Sequence, residues 1–306
     1  MSGAAIHSLP CSLNDAARIA SRLGIPMRAI ALHRFPDEEL RVTVGPAAPT
    51  CIIYATLDRP NEKLLAIMFA AEALRRNGAG RLVLLAPYMC YMRQDTAFLE
   101  GEGISQKVIG SLLAGTVDRI ITVDAHLHRI TNIREAFPGI EADNLSAMPA
   151  IAESLRAAGL DPRTIVVGPD AESRPWVNDL AERLGLTWAV AQKVRFSDRS
   201  VEVGFADPEL FAGHPVLLVD DIASTGGTLI ACAKALATAG AEAVDVIIIH
   251  ALFTTELVAE FIGAGIRSVR STTSVPHPTN AIILDDTYVA ALRSEISGTD
   301  LPEPTS

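Results

Sequence analysis

The chain has 306 residues, 49% of them apolar and 20% charged, with a formal net charge of −10 at pH 7. That length accommodates two domains of ordinary size, and the composition is that of a core-forming protein, not a disordered one. The acidic balance excludes a nucleic-acid groove as the main surface, because a phosphate backbone is bound by an excess of Lys and Arg. Cys11, Cys51, Cys90 and Cys232 are scattered without metal-ligand spacing, which fits reduced and mostly buried thiols in a cytoplasmic protein. No charged-then-apolar leader opens the sequence, so no signal peptide is expected. The apolar stretches are strand-length or broken by turn residues, so neither a transmembrane helix nor a membrane partner is expected.

A short polar start leads into an amphipathic helix over 14–24, with Ala17, Ile19, Ala20 and Leu23 as its apolar stripe. Residues 28–32 read as a short strand, 35–44 as a turn running into an alternating strand, and 51–56 as a buried strand. A helix over 61–77 is stopped by Asn77-Gly78. A strand at 81–87, a loop through Tyr88, Tyr91, Arg93, Gln94 and Asp95, a helix at 105–114 and a strand at 119–125 follow. The second half repeats this logic: helix 148–158, strand 164–170, helix 176–184, paired strands at 187–194 and 200–205, and then strands and helices from 216 to 295. The polar tail 297–306 has a composition that predicts disorder.

Strands alternating with helices imply parallel sheets covered on both faces. Two such sets predict two α/β domains, 1–145 and 146–285, with the C-terminal helix in 286–306 able to pack back on the first. In such sheets ligands collect beyond the carboxyl ends of the strands. Asp124 with His126, Asp170, and Asp220 with Asp221 all fall at predicted strand ends.

The most informative stretch is VLLVDDIASTGGTL at 216–229. Four apolar residues form a buried strand, and Asp220 and Asp221 stand where that strand is expected to end. Ser224, Thr225, Gly226, Gly227 and Thr228 then lead into an apolar helical run. Glycines let backbone N–H groups approach a ligand closely, and the helix start presents free N–H groups and the positive end of its dipole to an anion. No Gly-Lys-Ser/Thr follows, so it is not a Walker A loop. Two carboxylates beside an anion cradle make sense if the ligand also carries hydroxyls or a metal, as a sugar phosphate with Mg²⁺ does.

This segment resembles the phosphoribosyl pyrophosphate loop shared by phosphoribosyltransferases and ribose-phosphate pyrophosphokinases. Five further segments are similar to the pyrophosphokinase family over nearly the whole chain. The resemblance implies two phosphoribosyltransferase-like domains, each a mainly parallel sheet flanked by helices. FPDEE at 35–39 resembles a hairpin that receives the adenine of ATP, often from a neighbouring subunit, so that Phe35 would stack on the base and Asp37 and Glu39 would accept from its amine. In PYMCYMRQD, Arg93 and Gln94 would hold the nucleotide and Asp95 would orient its neighbours. In VDAH, His126 would reach Mg²⁺ on the ATP phosphates, while His128 reads as structural.

Asp170, in GPDAESR, would be a second Mg²⁺ ligand. Here the chain departs from the family, carrying Glu172 and Ser173 where small residues are usual. Lys193 and Arg195 match a Lys-x-Arg pair that closes over the triphosphate. Many relatives carry Asp at the position of Ser224.

The resemblance implies transfer of the diphosphoryl group of Mg-ATP to the anomeric hydroxyl of ribose 5-phosphate. The loop 224–228 would take the 5-phosphate, and Asp220 and Asp221 the ribose hydroxyls. Partners would be the two substrates, with at least a homodimer. A phosphoribosyltransferase and a catalytically silent regulatory homologue are the alternatives.

Overall fold

The computed structural model describes residues 3–127, 129–197 and 200–297, with the side chains of 193–197, 200–202 and 297 outside the description. His128 and the tail from 298 lie outside the described residues. Two compact units emerge, one formed by 3–145 with 285–297 and the other by Ser146–Leu284.

The first unit opens with β1 (Ala4–Ser8), α1 (Leu13–Leu23), β2 (Met27–Ala29), β3 (Ala31–Arg34), β4 (Leu40–Thr43) and β5 (Thr50–Tyr54). It continues with α2 (Pro60–Arg76), β6 (Arg81–Leu85), α3 (Ser105–Ala114), β7 (Arg119–Val123) and β8 (Glu141–Leu145). Six strands form one parallel sheet in the order β2-β1-β5-β6-β7-β8, while β3 and β4 form a separate antiparallel hairpin.

The second unit contains α4 (Met148–Ala157), β9 (Ile165–Gly168), α5 (Arg174–Leu184), β10 (Trp188–Val190), β11 (Gln192–Ser197), β12 (Ser200–Gly204) and β13 (Pro215–Ala223). It ends with α6 (Gly227–Thr238), β14 (Ala243–Ala251), α7 (Leu257–Gly263), β15 (Ile266–Thr272) and β16 (Asn280–Ile282). Its parallel sheet runs β10-β9-β13-β14-β15-β16, with β11 and β12 as the antiparallel hairpin.

The two units thus share one plan: a six-stranded parallel sheet with an antiparallel hairpin inserted between its second and third strands in chain order. The hairpin bearing Phe35 and the hairpin bearing Lys193 and Arg195 are topological counterparts.

The last helix, α8 (Asp285–Ser297), returns to the first unit. Asp285 takes a forked pair of hydrogen bonds from Arg18, at 2.8 and 3.1 Å. Glu295 takes two from Arg81, at 2.6 and 2.8 Å, and one from Arg119 at 2.7 Å. Tyr288 is buried edge-on to Tyr54, with ring centroids 6.5 Å apart. The chain closes its first unit only with its last described helix.

Several local expectations change. The start, expected to be merely polar, contains β1, a fully buried strand of five residues. Its AAIHS sequence lacks a β-branched run and was too short to stand out. Residues 28–32 hold parts of two strands, β2 and β3, belonging to different sheets, with the buried Ile30 at the bend. EADNL at 141–145, which has no strand-like composition, is the edge strand β8. The expected strand at 187–194 is divided between β10 and β11. Of the thiols, Cys51, Cys90 and Cys232 are buried and Cys11 is exposed. Among the described residues no helix is long and apolar enough to cross a membrane.

Candidate functional site

In the second sheet the chain leaves β9 toward β10 on one side and runs from β13 through β14 to β16 on the other. The boundary between β9 and β13 is therefore a switch point, where the carboxyl ends of parallel strands leave a crevice for ligands. Asp170 follows the end of β9, and Asp220, Asp221 and the loop 224–228 lie at the end of β13. The fold brings these segments to the same edge.

β13 runs on past the carboxylates, its expected end, to Ala223, because it stays paired with β14 through Ile222 and Ala223. The two carboxylates are therefore inside a strand, where they stay close enough for each to bear on the other. Asp221 is 5% exposed, whereas Asp220 is half-buried. Asp220 Oδ1 accepts the Asp221 N–H at 3.0 Å. Burial first, then the charges of Asp221 and Asp170, push the Asp220 carboxyl well above the usual carboxylate range.

Ser224 and Thr225 are exposed, Gly226 is buried, and Gly227 and Thr228 are exposed at the start of α6. Gly226 has φ +69°, and a Cβ there would lie 2.6 Å from Phe261 Cε1 and 2.8 Å from Leu257 Cδ2. Glycine is required twice at this position, by the left-handed backbone and by the α7 side chains behind it. No side chain caps α6. Its first turn keeps N–H groups without helical acceptors at the exposed end of the loop, which is the arrangement that binds phosphate.

Asp170 caps the short helical turn that follows it. Its Oδ1 accepts the N–H groups of Glu172 at 3.0 Å and Ser173 at 3.2 Å. The departure at Glu172 and Ser173 is accommodated locally. Ser173 is fully buried, and its hydroxyl donates to the Asp170 carbonyl. Gly168 makes room for it, since a Cβ there would stand 1.8 Å from Ser173 Oγ. Glu172 is exposed. Lys193 and Arg195 belong to β11 by backbone pairing with Val203 and Val201, and their side chains lie outside the described residues.

In the first unit Phe35 stands at the tip of the β3–β4 hairpin, 38% exposed. His33 meets its ring edge-on at 4.8 Å, and the Arg41 guanidinium lies 5.8 Å from its centroid. Asp37 Oδ1 accepts the Glu39 N–H at 3.3 Å, and Glu38 adopts φ 70° to close the turn. Phe35, Asp37 and Glu39 are all exposed.

Arg93 is exposed, while Gln94 is held by Ser105 Oγ at 3.2 Å and through its carbonyl by Gln106 N at 3.2 Å. β7 stops at Val123, and Asp124, expected to lie within the strand, turns out of it with φ 35°. The next N–H, of Ala125, donates to Asn144 Oδ1 at 2.8 Å, which sets the course of the chain into half-buried His126. Asn144 was not singled out from sequence. It acts by bracing backbone, and no motif advertises that.

Among the described residues no three of His, Cys, Asp and Glu are grouped to cage a metal. Mg²⁺ does not require such a cage, being held by one or two carboxylates together with substrate phosphates and water. The raised Asp220 carboxyl, crowded by two further carboxylates, is a cluster whose mutual repulsion a cation would relieve. The donor set fits the ion.

A parallel α/β unit with an uncapped glycine loop at its switch point has the architecture of the phosphoribosyltransferase-like fold, and the chain contains a second unit with the same sheet plan. The phosphoribosyl transferase domain matches residues 145–275, and the N-terminal domain of ribose phosphate pyrophosphokinase matches 5–116. The chain is 30% identical over 263 residues to a ribose-phosphate pyrophosphokinase of Methanopyrus kandleri, covering 85% of this chain and 89% of that one. It is 31% identical over 267 residues to that of Methanothermobacter thermautotrophicus, covering 86% and 91%. The crystal structure of phosphoribosylpyrophosphate synthetase from Mycobacterium smegmatis shares the fold, with a TM-score of 0.83, 22% identity and coverage of 96% and 98%. The chain belongs to the ribose-phosphate pyrophosphokinase family.

Proposed function

We propose that the protein transfers the diphosphoryl group of Mg-ATP to the anomeric hydroxyl of ribose 5-phosphate, forming phosphoribosyl pyrophosphate and AMP. The observation that carries this reading is the β13–α6 turn. It presents uncapped backbone N–H groups at 224–228 immediately beyond a carboxylate pair at the switch point.

The loop residues Ser224, Thr225, Gly226, Gly227 and Thr228 hold the 5-phosphate through backbone N–H and hydroxyl groups. Asp220 and Asp221 accept from the ribose hydroxyls, with the more exposed Asp220 nearer solvent. In the first unit, Phe35 offers a ring face to adenine, Asp37 and Glu39 accept from its amine, Arg93 and Gln94 hold the nucleotide, and His126 faces its phosphates. His126 of the first unit and Asp170 of the second, the latter with Asp220 assisting, would each offer a Mg²⁺ ligand, and Mg²⁺ would supply charge neutralisation to the phosphate oxygens. Lys193 and Arg195 on β11 stabilise charge spreading over the transferred group. Such a transfer asks for positioning and electrostatics, not for a side-chain nucleophile. In keeping with that, burial pushes the Cys90 and Cys232 thiols up to about 12.

The deciding assay is AMP release from ATP that requires both ribose 5-phosphate and Mg²⁺. Absence of AMP release from the pure protein refutes the reading. Base-dependent consumption of phosphoribosyl pyrophosphate would favour a phosphoribosyltransferase instead. Wild-type turnover by Lys193→Ala would remove Lys193 from its role.

A homo-oligomer, at least a dimer, is part of the same proposal. Leu65 and Phe69 on α2 and Val108 on α3 are large apolar side chains that stand 45–63% exposed, a surface suited to a second copy. Light scattering that returns a monomer mass at micromolar concentration would exclude it. The proposed compartment is the cytoplasm, where the four free thiols remain reduced.

A further inference from the structure

Two loops of the first unit carry the residues assigned to the nucleotide. One holds Arg93 and Gln94 after β6, and the other holds His126 after β7. Each is braced locally. Gln94 is tied to the start of α3 through Ser105 and Gln106, and the backbone before His126 is tied to β8 through Asn144 and Leu145. Among the described residues one ion pair joins the loops to each other: Arg129 Nη1 donates to Asp95 Oδ1.

The pair is lopsided. The Asp95 side chain is 2% exposed, whereas Arg129 is 58% exposed. Asp95 Oδ2 is buried and has no hydrogen-bond partner among the described residues. A surface ion pair between two solvated groups holds little, but a buried carboxylate with one cation loses most of its compensation when that cation leaves. The dependence therefore runs from Asp95 to Arg129, and with it from the first loop to the second. Arg93, although only two residues away, is exposed and is not the partner.

We propose that Asp95 and Arg129 are positioning residues, a latch that holds the His126 loop against the Arg93–Gln94 segment and so sets the nucleotide-binding geometry before ATP arrives. Neither residue touches substrate in this proposal, which rests on the functional reading above. Removing the latch loosens two substrate-contacting loops at once. The loss appears in nucleotide binding and leaves the ribose 5-phosphate loop of the other unit unaffected.

Arg129→Ala, at an exposed position, is the primary variant, with Asp95→Asn, the double variant and Arg129→Lys beside it. Arg129→Ala and Asp95→Asn should each raise KM for ATP about tenfold, as expected for a small misplacement of binding groups. The kcat and the KM for ribose 5-phosphate should stay within about twofold. The double variant should be no worse than either single one, because both remove the same contact, and Arg129→Lys should recover part of the loss. Hydrogen exchange on the ligand-free protein should quicken both in the Arg93 loop and in the His126 loop of Arg129→Ala. An unchanged KM for ATP, a parallel rise for both substrates, additive single effects or unaltered exchange would each overturn the latch. If the wild-type protein makes no phosphoribosyl pyrophosphate, the functional reading fails. The exchange measurement then decides the latch alone, faster exchange in both loops upholding it and unchanged exchange refuting it.

Discussion

Gly226 and Gly227 are neighbours in the proposed phosphate loop, yet substitution should separate them sharply. Gly226→Ala places a methyl 2.6–2.8 Å from Phe261 and Leu257 carbons, and does so at φ +69°. The left-handed backbone costs a non-glycine residue about 1 kcal/mol. Forcing a methyl into a closed apolar contact adds about 1–3 kcal/mol, because Phe261 is fully buried and has little room to move. The sum, about 2–4 kcal/mol, corresponds to a fall of roughly 5–15 °C in the melting temperature of a unit this size.

Gly227 is the contrast. A Cβ there meets only Thr225 Oγ1, at 3.9 Å, and it opens α6, where alanine is the better helix former. Gly227→Ala should melt within about 2 °C of wild type. Its methyl nevertheless stands on the exposed anion-facing turn, so the stabilisation conferred by ribose 5-phosphate should shrink. Thermal denaturation with and without millimolar ribose 5-phosphate reads both effects. A Gly226→Ala protein that melts like wild type refutes the packing argument. A Gly227→Ala protein with an undiminished ribose 5-phosphate shift refutes the assignment of the loop.

Three further outcomes are expected. Asp220→Asn removes a carboxyl that burial and two like charges hold well above its ordinary range. The ligand-free variant should therefore melt higher than wild type at neutral pH while losing turnover, and a lower melting temperature would contradict the repulsion. Glu295→Ala leaves Arg81 and Arg119 without the carboxylate that joins α8 to the sheet. It should cost about 2–3 kcal/mol in denaturant unfolding, discounted because Arg81 is one-third exposed, and a change under 0.5 kcal/mol would show that α8 is held by its apolar contacts alone.

His7 is fully buried, and its pKa is lowered from 6.5 to about 4 by burial and then by Arg28. A depressed histidine pKa means that the unfolded chain takes the proton first. Its contribution is intact above pH 6.5 and is lost as pH falls toward 4, by about 3 kcal/mol in all. Replacing His7 with Leu should flatten stability between pH 6.5 and 4, and an unchanged slope would refute the assignment.

Local chemistry alone specified much of this protein. The run 216–229 announces strand, carboxylates, glycine turn and helix because each needs only neighbours in sequence. The alternation of apolar strands and amphipathic helices likewise requires two parallel α/β sheets wherever they pack. The tertiary structure decided what depends on residues distant in sequence. β1 and β8 are strands because their neighbours in the sheet, β5 and β7, supply the pairing that AAIHS and EADNL do not signal. Asp220 and Asp221 look like one uniform acidic pair in sequence, but the strand that carries them stays paired with β14 to Ala223 and leaves them unequally exposed. Asp95 finds Arg129, 34 residues away, and not Arg93, two residues away in its own motif. Periodicity records which face a side chain takes along one element. It carries no information about which distant charge will be buried beside it, and only the packed chain settles that.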